Sequence, residues 1–306
     1  MGKFLETIRE FEIVQALATH RHFGKAAQSL GVSQPSLTRS LSRIEAALGG
    51  PLFDRKGVAP TLFGEIVLRH GKIMLGAAAS LSREILLTKG LGLGDLSVAA
   101  GFYPAEISGH AAAAALSRRH PEIAIDFRIL DWPRAKDAVL TGSSDLAFAD
   151  IRAARDSPEF DVHPVRAGAL SFFCSASHPL AKKRDVTFDD LTLYPWAGPS
   201  LPPAISSAMP QDERPFCVRD KHEARLRPRI LVESFTAAKR IVLEGEALSA
   251  GLPFQIASDA DDLVMLPVET PFLSVDYGFI LKRDRMISPA AAAFMSIVRE
   301  IERGVG

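Results

Sequence analysis

Cysteine is scarce in this chain. Cys174 and Cys217 are the only two among 306 residues. They stand far apart, without a CxxC pair or histidine company. That spacing suggests neither a disulfide framework nor a zinc ligand set; both thiols read as reduced and buried, as in a cytosolic protein, with a redox pair as the alternative. Long apolar runs are absent as well. AAAAAL after His110 is the nearest, far short of the roughly 20 residues that span a bilayer. The first residues carry no apolar core of a secretion signal, so a soluble cytoplasmic protein is expected. Nor is there a charge excess, with 36 basic against 36 acidic residues. Binding to a polyanion must then come from placement rather than bulk charge. No GxSxG, HExxH, Walker loop or dinucleotide-binding glycine fingerprint occurs. Ser, His and Asp residues show no triad spacing, and His178 reads as a loop residue rather than a base. No catalytic residue, metal ligand or cofactor is expected, and the chain is not expected to be an enzyme.

What is present is concentrated between Phe23 and Gly64, FGKAAQSLGVSQPSLTRSLSRIEAALGGPLFDRKGVAPTLFG. Ala26, Ala27 and Leu30 share one face of a short helix. Gly31 follows where a left-handed C-cap belongs. Ser33 offers an N-cap oxygen to a second helix, with Pro35 in its first turn. Leu37, Leu41, Ile44 and Leu48 form one apolar stripe. The opposite side carries Gln34, Ser36, Thr38, Arg39, Ser42 and Arg43, groups that donate to phosphates and read base edges. Phe4, Ile8, Phe11 and Val14 give helical spacing for a helix behind this pair. From Met1 to Gly64 the bases Lys3, Arg9, Arg21, Lys25, Arg39, Arg43, Arg55 and Lys56 modestly outnumber the acids Glu6, Glu10, Glu12, Glu45 and Asp54.

The order AA..L..SQPSLTR.L..IE..LG..LF.R, then T..G, resembles the winged helix-turn-helix of LysR-type transcriptional regulators. The phrases HPEI, TGSSDLAFAD, SFFCSASHPLA, VTFDDLTLYPW, VESFTAAKRIVLEG and SPAAAAF resemble successive landmarks of that family's effector domain. The resemblance implies an α/β chain in three parts. Residues 1–61 are a winged helix-turn-helix, 62–90 a linker helix that pairs two chains, and 91–306 an effector domain resembling periplasmic binding proteins. Its subdomain I is expected at about 91–162 and 269–306, and subdomain II at about 163–268, with crossings near Val162 and Val268. DNA contacts are expected from Ser33, Gln34, Pro35, Ser36, Thr38, Arg39 and Arg43, with Arg55 of the wing entering the minor groove. A serine usual before the second helix is replaced here by His22. That histidine either caps differently or Gly24 shifts the helix start. His20 and His22 otherwise read as a solvated turn or as phosphate contacts.

The linker stretch Leu62–Lys89 has no proline and a broad apolar face including Ile66, Ile73, Met74, Leu81, Ile85 and Leu86. Gly90, Gly92 and Gly94 mark a hinge. Beyond Asp95 the pattern alternates. LSVAAGF, IAIDFRIL and DLAFAD read as strands, and Ala105–Arg119 and WPRAKDAVLTG as helices, which predicts a parallel sheet with right-handed crossovers. LPPAISSAMPQDERPFCVRDKHEARLRPR, Leu201 to Arg229, is expected to be partly irregular.

Ligands of open α/β sheets sit beyond the carboxyl ends of strands. Those ends offer Phe102, Tyr103, Trp132 and Asp150 from one subdomain, and Trp196, Ser200, Leu201, Ser234 and Phe235 from the other. The expected effector is apolar or aromatic, with a donor group facing Asp150. Alternatively Trp132 and Phe235 pack the cleft floor and Asp150 pairs with Arg152. The expected partners are double-stranded DNA with an inverted-repeat operator, a small-molecule effector, a second chain in a homodimer or homotetramer, and RNA polymerase. The alternative function is a solute-binding protein of a transport system.

Overall fold

A computed structural model describes residues 8–54, 58–88, 95–209, 212–220, 226–257 and 261–304. Arg55, Lys56, Gly57 and the glycines Gly90, Gly92 and Gly94 lie outside the described residues, so the wing tip and the hinge expected there are not part of it. The chain divides into two compact units, one up to about residue 91 and one from about 92 onward.

The N-terminal unit is built from helices α1 (Ile8–His20), α2 (Phe23–Ser29), α3 (Gln34–Leu48) and α4 (Leu62–Thr88). Their apolar stripes meet in one core containing Phe11, Val14, Leu17, Ala26, Ala27, Leu37, Leu41, Ile44, Leu52 and Phe53. His22 itself caps α2, because its Nδ1 accepts from the backbone N–H groups of Gly24 (3.1 Å) and Lys25 (3.3 Å). Phe23 therefore stays the first helical residue, and Gly24 does not shift the start. Ser33 caps α3 by accepting from Ser36 N–H at 3.3 Å. Beyond α3 the chain makes a small antiparallel bridge, Phe53 to Pro60. Glu45 anchors its base by accepting from Leu52 N–H at 2.7 Å. Thr61 then caps α4, accepting from Gly64 N–H at 3.0 Å while donating to Pro51 O at 2.7 Å. A Cβ on Gly64 would lie 2.0 Å from Leu52 O. Only glycine lets the first turn of α4 press onto the wing's base.

The second unit contains a five-stranded sheet of β1 (Leu96–Ala100), β2 (Ile125–Ile129), β3 (Leu146–Asp150), β4 (Phe160–Ala169) and a late strand, Ser274–Lys282. The order is β2-β1-β3, the late strand, then β4. The first three are parallel, and the late strand is antiparallel to both its neighbours. Helical segments Phe102–Pro104, Ala105–Gly109 (a π-turn), His110–Arg119 and Trp132–Leu140 follow the parallel strands, and Pro289–Arg303 closes the chain. Strand β5 (Ser171–Ser175) pairs antiparallel with Ser249–Gly251 and Leu263–Met265 in a second, three-stranded sheet. The described part of the stretch from Leu201 to Arg229 mixes short elements with irregular segments, as its composition suggests. It holds a short helix, Pro203–Ala208, and a strand pair, Cys217–Arg219 with Leu226–Pro228.

The first crossing between the two sheets falls at Leu170, not near Val162. Val162 sits inside β4, opposite Ile280, and the ladder continues to Ala169 opposite Ser274. The sequence pattern ends the first subdomain too soon because β4 alternates weakly and carries Pro164. Leu170 N–H bonds Leu273 O at 2.9 Å, which brings the two crossing segments side by side. The return segment runs between Met265 and Ser274 and includes Val268.

Two candidate sites, a reading helix and an apolar cleft

Helix α3 buries Leu37, Leu41 and Ile44 and turns Gln34, Pro35, Thr38, Arg39, Ser42 and Arg43 to solvent. Ser36 is half-buried. Two of these groups have structural duties. Ser33 Oγ is engaged as the cap, and Thr38 Oγ1 donates to Gln34 O at 3.0 Å. Arg43 lies 3.7 Å from Glu10 of α1, so its charge is partly drawn back onto the unit. Arg39 is exposed on the same face. Arg55 falls outside the described residues. His22 is taken up by its cap and is not a spare phosphate ligand on that nitrogen.

In the second unit a cleft open to solvent lies beyond the carboxyl ends of β1, β2 and β3, walled on its other side by residues from 196–205 and 231–233. Phe102, Tyr103, Trp132, Asp150, Trp196, Ser200 and Leu201 all line it, as expected from the strand ends. Ser234 and Phe235 do not. Ser234 Oγ accepts from Ala237 N–H (3.4 Å) and caps the helix Phe235–Glu244. Phe235 is fully buried and backs the wall, its ring 5.8 Å from Phe102, 6.0 Å from Tyr103 and 5.9 Å from Phe173. A cap serine and a core phenylalanine follow from the helix start at Ser234, which fixes both by geometry rather than by ligand.

Asp150 does not await a ligand's donor group. Both its oxygens accept from Arg152, Oδ1 from the backbone N–H at 3.0 Å and Nε at 3.1 Å, Oδ2 from Nε at 3.0 Å and from the terminal nitrogen. This pairing raises the Arg152 guanidinium above its ordinary value, chiefly through the hydrogen bond to Asp150. Strand ends alone do not reveal other parts of the wall, among them Arg134, Leu231, Glu233, Val275 and Tyr277. Val275 and Tyr277 come from the late strand, whose alternation in SVDYGFILK is a readable signal. Burial pushes the Tyr103 phenol up, and its hydroxyl donates to Ala250 O at 3.1 Å across the cleft. Tyr277 is held from behind by a buried network. Glu302 Oε1 accepts from Tyr277 OH (3.0 Å) and Ser108 Oγ (2.5 Å), and Oε2 accepts from Arg166 Nε (2.8 Å).

The remaining titratable candidates are structural. His178 Nδ1 accepts from Leu180 N–H at 3.1 Å and caps the turn Pro179–Lys182, and burial lowers its pKa. Both cysteines are free and buried, with burial pushing Cys174 up to about 11 and Cys217 up to about 12. Among the described residues no cluster of histidine, cysteine and carboxylates could hold a metal, and no helix is long and apolar enough to cross a membrane.

Comparison with known proteins gives the same two units. Residues 8–65 match the model for bacterial regulatory helix-turn-helix proteins of the lysR family, and residues 92–302 match the LysR substrate binding domain. The SDS degradation transcriptional activation protein of a Pseudomonas species is 30% identical over 303 residues, covering 96% of each chain. The regulator GbpR of Azospirillum brasilense is 26% identical over 299 residues, 95% of this chain and 85% of GbpR. Among solved structures, CbnR, a LysR family transcriptional regulator, superposes with a TM-score of 0.61 at 22% identity, covering 97% of this chain and 99% of CbnR. A full-length OxyR variant from Pseudomonas aeruginosa gives 0.59 at 19% identity, covering 96% and 97%. These two likenesses concern the fold. A solute-binding protein, the alternative drawn from the second unit alone, is set aside by the helix-turn-helix match. The chain belongs to the LysR family and is a DNA-binding transcriptional regulator with an effector-binding domain.

Proposed function

We propose that α3 reads the major groove through Gln34, Pro35, Ser36, Thr38 and Arg39, with Ser33 and Arg43 at the phosphates and Arg55 of the wing in the minor groove. The observation that carries this reading is the exposed polar face of α3 opposite the buried Leu37, Leu41 and Ile44, with Leu48 half-buried. Arg39 is the residue best suited to a bidentate guanine contact. A single copy has little charge excess, so useful affinity needs two reading heads. Helix α4 supports that: Leu62, Ile66, Ile73, Met74, Leu81 and Ile85 are exposed large hydrophobics on it. At about 100° per residue they share one broad face of the helix, which suits packing against a second copy of the same helix. A homodimer or homotetramer on an inverted-repeat operator in the cytoplasm follows, with RNA polymerase as the output partner and no enzymatic step. The boundaries 1–61, 62–90 and 91–306 describe reading head, linker and effector domain.

The cleft is the effector site in this reading. Its wall is mostly carbon, from Phe102, Trp132, Leu201, Ile205, Leu231 and Val275 among others, which suits an apolar or aromatic effector. One relative is named for the degradation of SDS, a molecule with a long alkyl chain, and that supports an apolar body here. A gel-shift titration on a DNA site found by chromatin-wide mapping of bound sites tests the DNA half. Arg39→Ala and Gln34→Ala each should weaken specific binding by about 1–3 kcal/mol while leaving non-specific binding nearly unchanged. Unchanged operator affinity in both variants means that α3 is not the reading helix.

A further inference from the structure

The charged groups on the cleft wall are already matched to one another. Three carboxylates, Asp131, Asp150 and Glu233, stand with two guanidiniums, Arg134 and Arg152. Arg152 is wrapped on Asp150 and also donates to Ser274 O at 3.2 Å. Arg134 donates from its backbone N–H and Nε to Asp131 Oδ1 (3.1 and 3.0 Å) and from its terminal nitrogen to Glu233 Oε1 (2.9 Å). That last pair joins residues 99 positions apart, one from each side of the cleft. The wall thus carries an excess of one negative charge and no guanidinium without a carboxylate. Asp276, paired with Arg155 at 2.8 Å, adds a further negative charge toward Arg152.

An anionic effector seated beside Asp150 must take Arg152 from it. It leaves a partly buried carboxylate, its side chain 21% exposed, uncompensated beside the new anion, which costs more than the exchange returns. The Arg134–Glu233 pair is exposed on both sides and contributes little to that cost. An ammonium reaching Asp150 meets a carboxylate whose two oxygens already accept from Arg152, and it must shed its own water to get there. The neutral polar groups beside that pair are the hydroxyl of Ser200, that of Ser274, which accepts from Arg152 at 3.5 Å, and the indole N–H of Trp132, which is buried without an acceptor among the described residues.

We propose that the cleft selects an uncharged apolar effector whose polar group is a hydroxyl or carbonyl, and that its self-paired Asp150–Arg152 group turns away carboxylates, sulfates and amines. This rests on the reading of the cleft as the effector site and names the class of molecule it takes. It also replaces the donor-to-Asp150 expectation, since Asp150 has no acceptor capacity to spare. The alkyl chain implied by the SDS-related relative is compatible with this cleft, whereas its sulfate head is not.

Isothermal titration calorimetry on the full-length protein tests it with two matched series: octan-1-ol, octanoate, octyl sulfate and octylamine, and 2-naphthylmethanol against 2-naphthoate. The alcohol in at least one series should bind about tenfold or more tighter than its charged counterparts, a difference of about 1.4 kcal/mol. A carboxylate, sulfate or amine that equals or beats the alcohol in both series overturns the proposal, as does the absence of binding in both. Two variants separate the possible failures. Asp150→Asn leaves Arg152 without its carboxylate and should raise octanoate affinity about tenfold; no gain means that pairing is not the source of exclusion. Ser200→Trp fills the cleft and should abolish binding of the alcohol. Unchanged binding there refutes the cleft as the effector site, whereas loss of binding with a reversed head-group order refutes only the charge rule.

Discussion

Removing the carboxylate of Glu302 tests whether the cleft floor depends on the buried network behind it. Glu302 is 7% exposed and satisfies three donors at once: Ser108 Oγ, Tyr277 OH and Arg166 Nε. Arg166 also donates to Glu302 O at 2.9 Å, and its guanidinium lies 5.1 Å from the Phe254 ring centroid. Glu302→Ala leaves Arg166 with a mostly buried charge and Ser108 and Tyr277 without their acceptor. Breaking one partner of a buried pair costs about 3–5 kcal/mol. Glu302→Gln keeps the shape and some hydrogen bonding, so the cost should fall to about 1.5–3 kcal/mol, the range for a hydrogen bond to a charged group. Both tryptophans, Trp132 and Trp196, lie in the second unit. Tryptophan emission in a urea titration therefore follows that unit alone, and a lower midpoint at unchanged slope reads as lost stability. The double variant Arg166→Met/Glu302→Leu removes both charges together and should cost less than the sum of the single changes. A loss below about 0.5 kcal/mol in Glu302→Ala, or strict additivity in the double variant, refutes the idea that the pair is coupled.

Three further outcomes follow from particular groups. The His22 cap predicts that His22→Ala costs about 0.5–2 kcal/mol in the N-terminal unit, and that His22→Ser restores most of it; thermal unfolding followed by circular dichroism measures both. Cys174 and Cys217 are held above the ordinary thiol value of 9.0, at about 11 and about 12. Their contribution is therefore complete below about pH 9 and declines as pH rises through that window, by up to about 1.4 kcal/mol per unit for each thiol. Urea midpoints compared between about pH 8 and about pH 10.5 should fall less steeply in Cys174→Ala/Cys217→Ala; parallel slopes contradict this. Arg39→Ala and Gln34→Ala are the corresponding test of the reading helix.

The N-terminal unit is readable because its information is local. Helical periodicity fixes which side of α3 is buried, and Leu37, Leu41 and Ile44 are buried as the spacing demands. The caps at Ser33 and Thr61 are side chain to backbone bonds within three residues, so they too are written in the sequence. His22 is the weak point because histidine is not a usual cap, yet its Nδ1 has the same reach to the next N–H groups as a serine oxygen. The glycine of the T..G pair has no reason in the sequence alone. Its reason is the 2.0 Å approach of a would-be Cβ to Leu52 O, twelve residues earlier in the chain.

The effector unit is readable in its parallel strands and not in its return. Strand ends at Phe102, Trp132 and Asp150 can be found because each strand leads into a helix or turn. The late strand Ser274–Lys282 pairs with β3 and β4 across more than a hundred residues, and no local pattern states such a pairing. Two consequences follow from that one strand. It moves the first crossing from Val162 to Leu170, and it places Val275 and Tyr277 on the cleft floor. Charge pairing is illegible for the same reason at Glu233, whose partner Arg134 is 99 positions away, but not at Asp150, whose partner is two residues on. The sequence leaves Asp150 open between a ligand's acceptor and a partner of Arg152. Geometry makes it the group that silences Arg152, and so turns an aspartate expected to recognise a donor into one that decides which charges the cleft refuses.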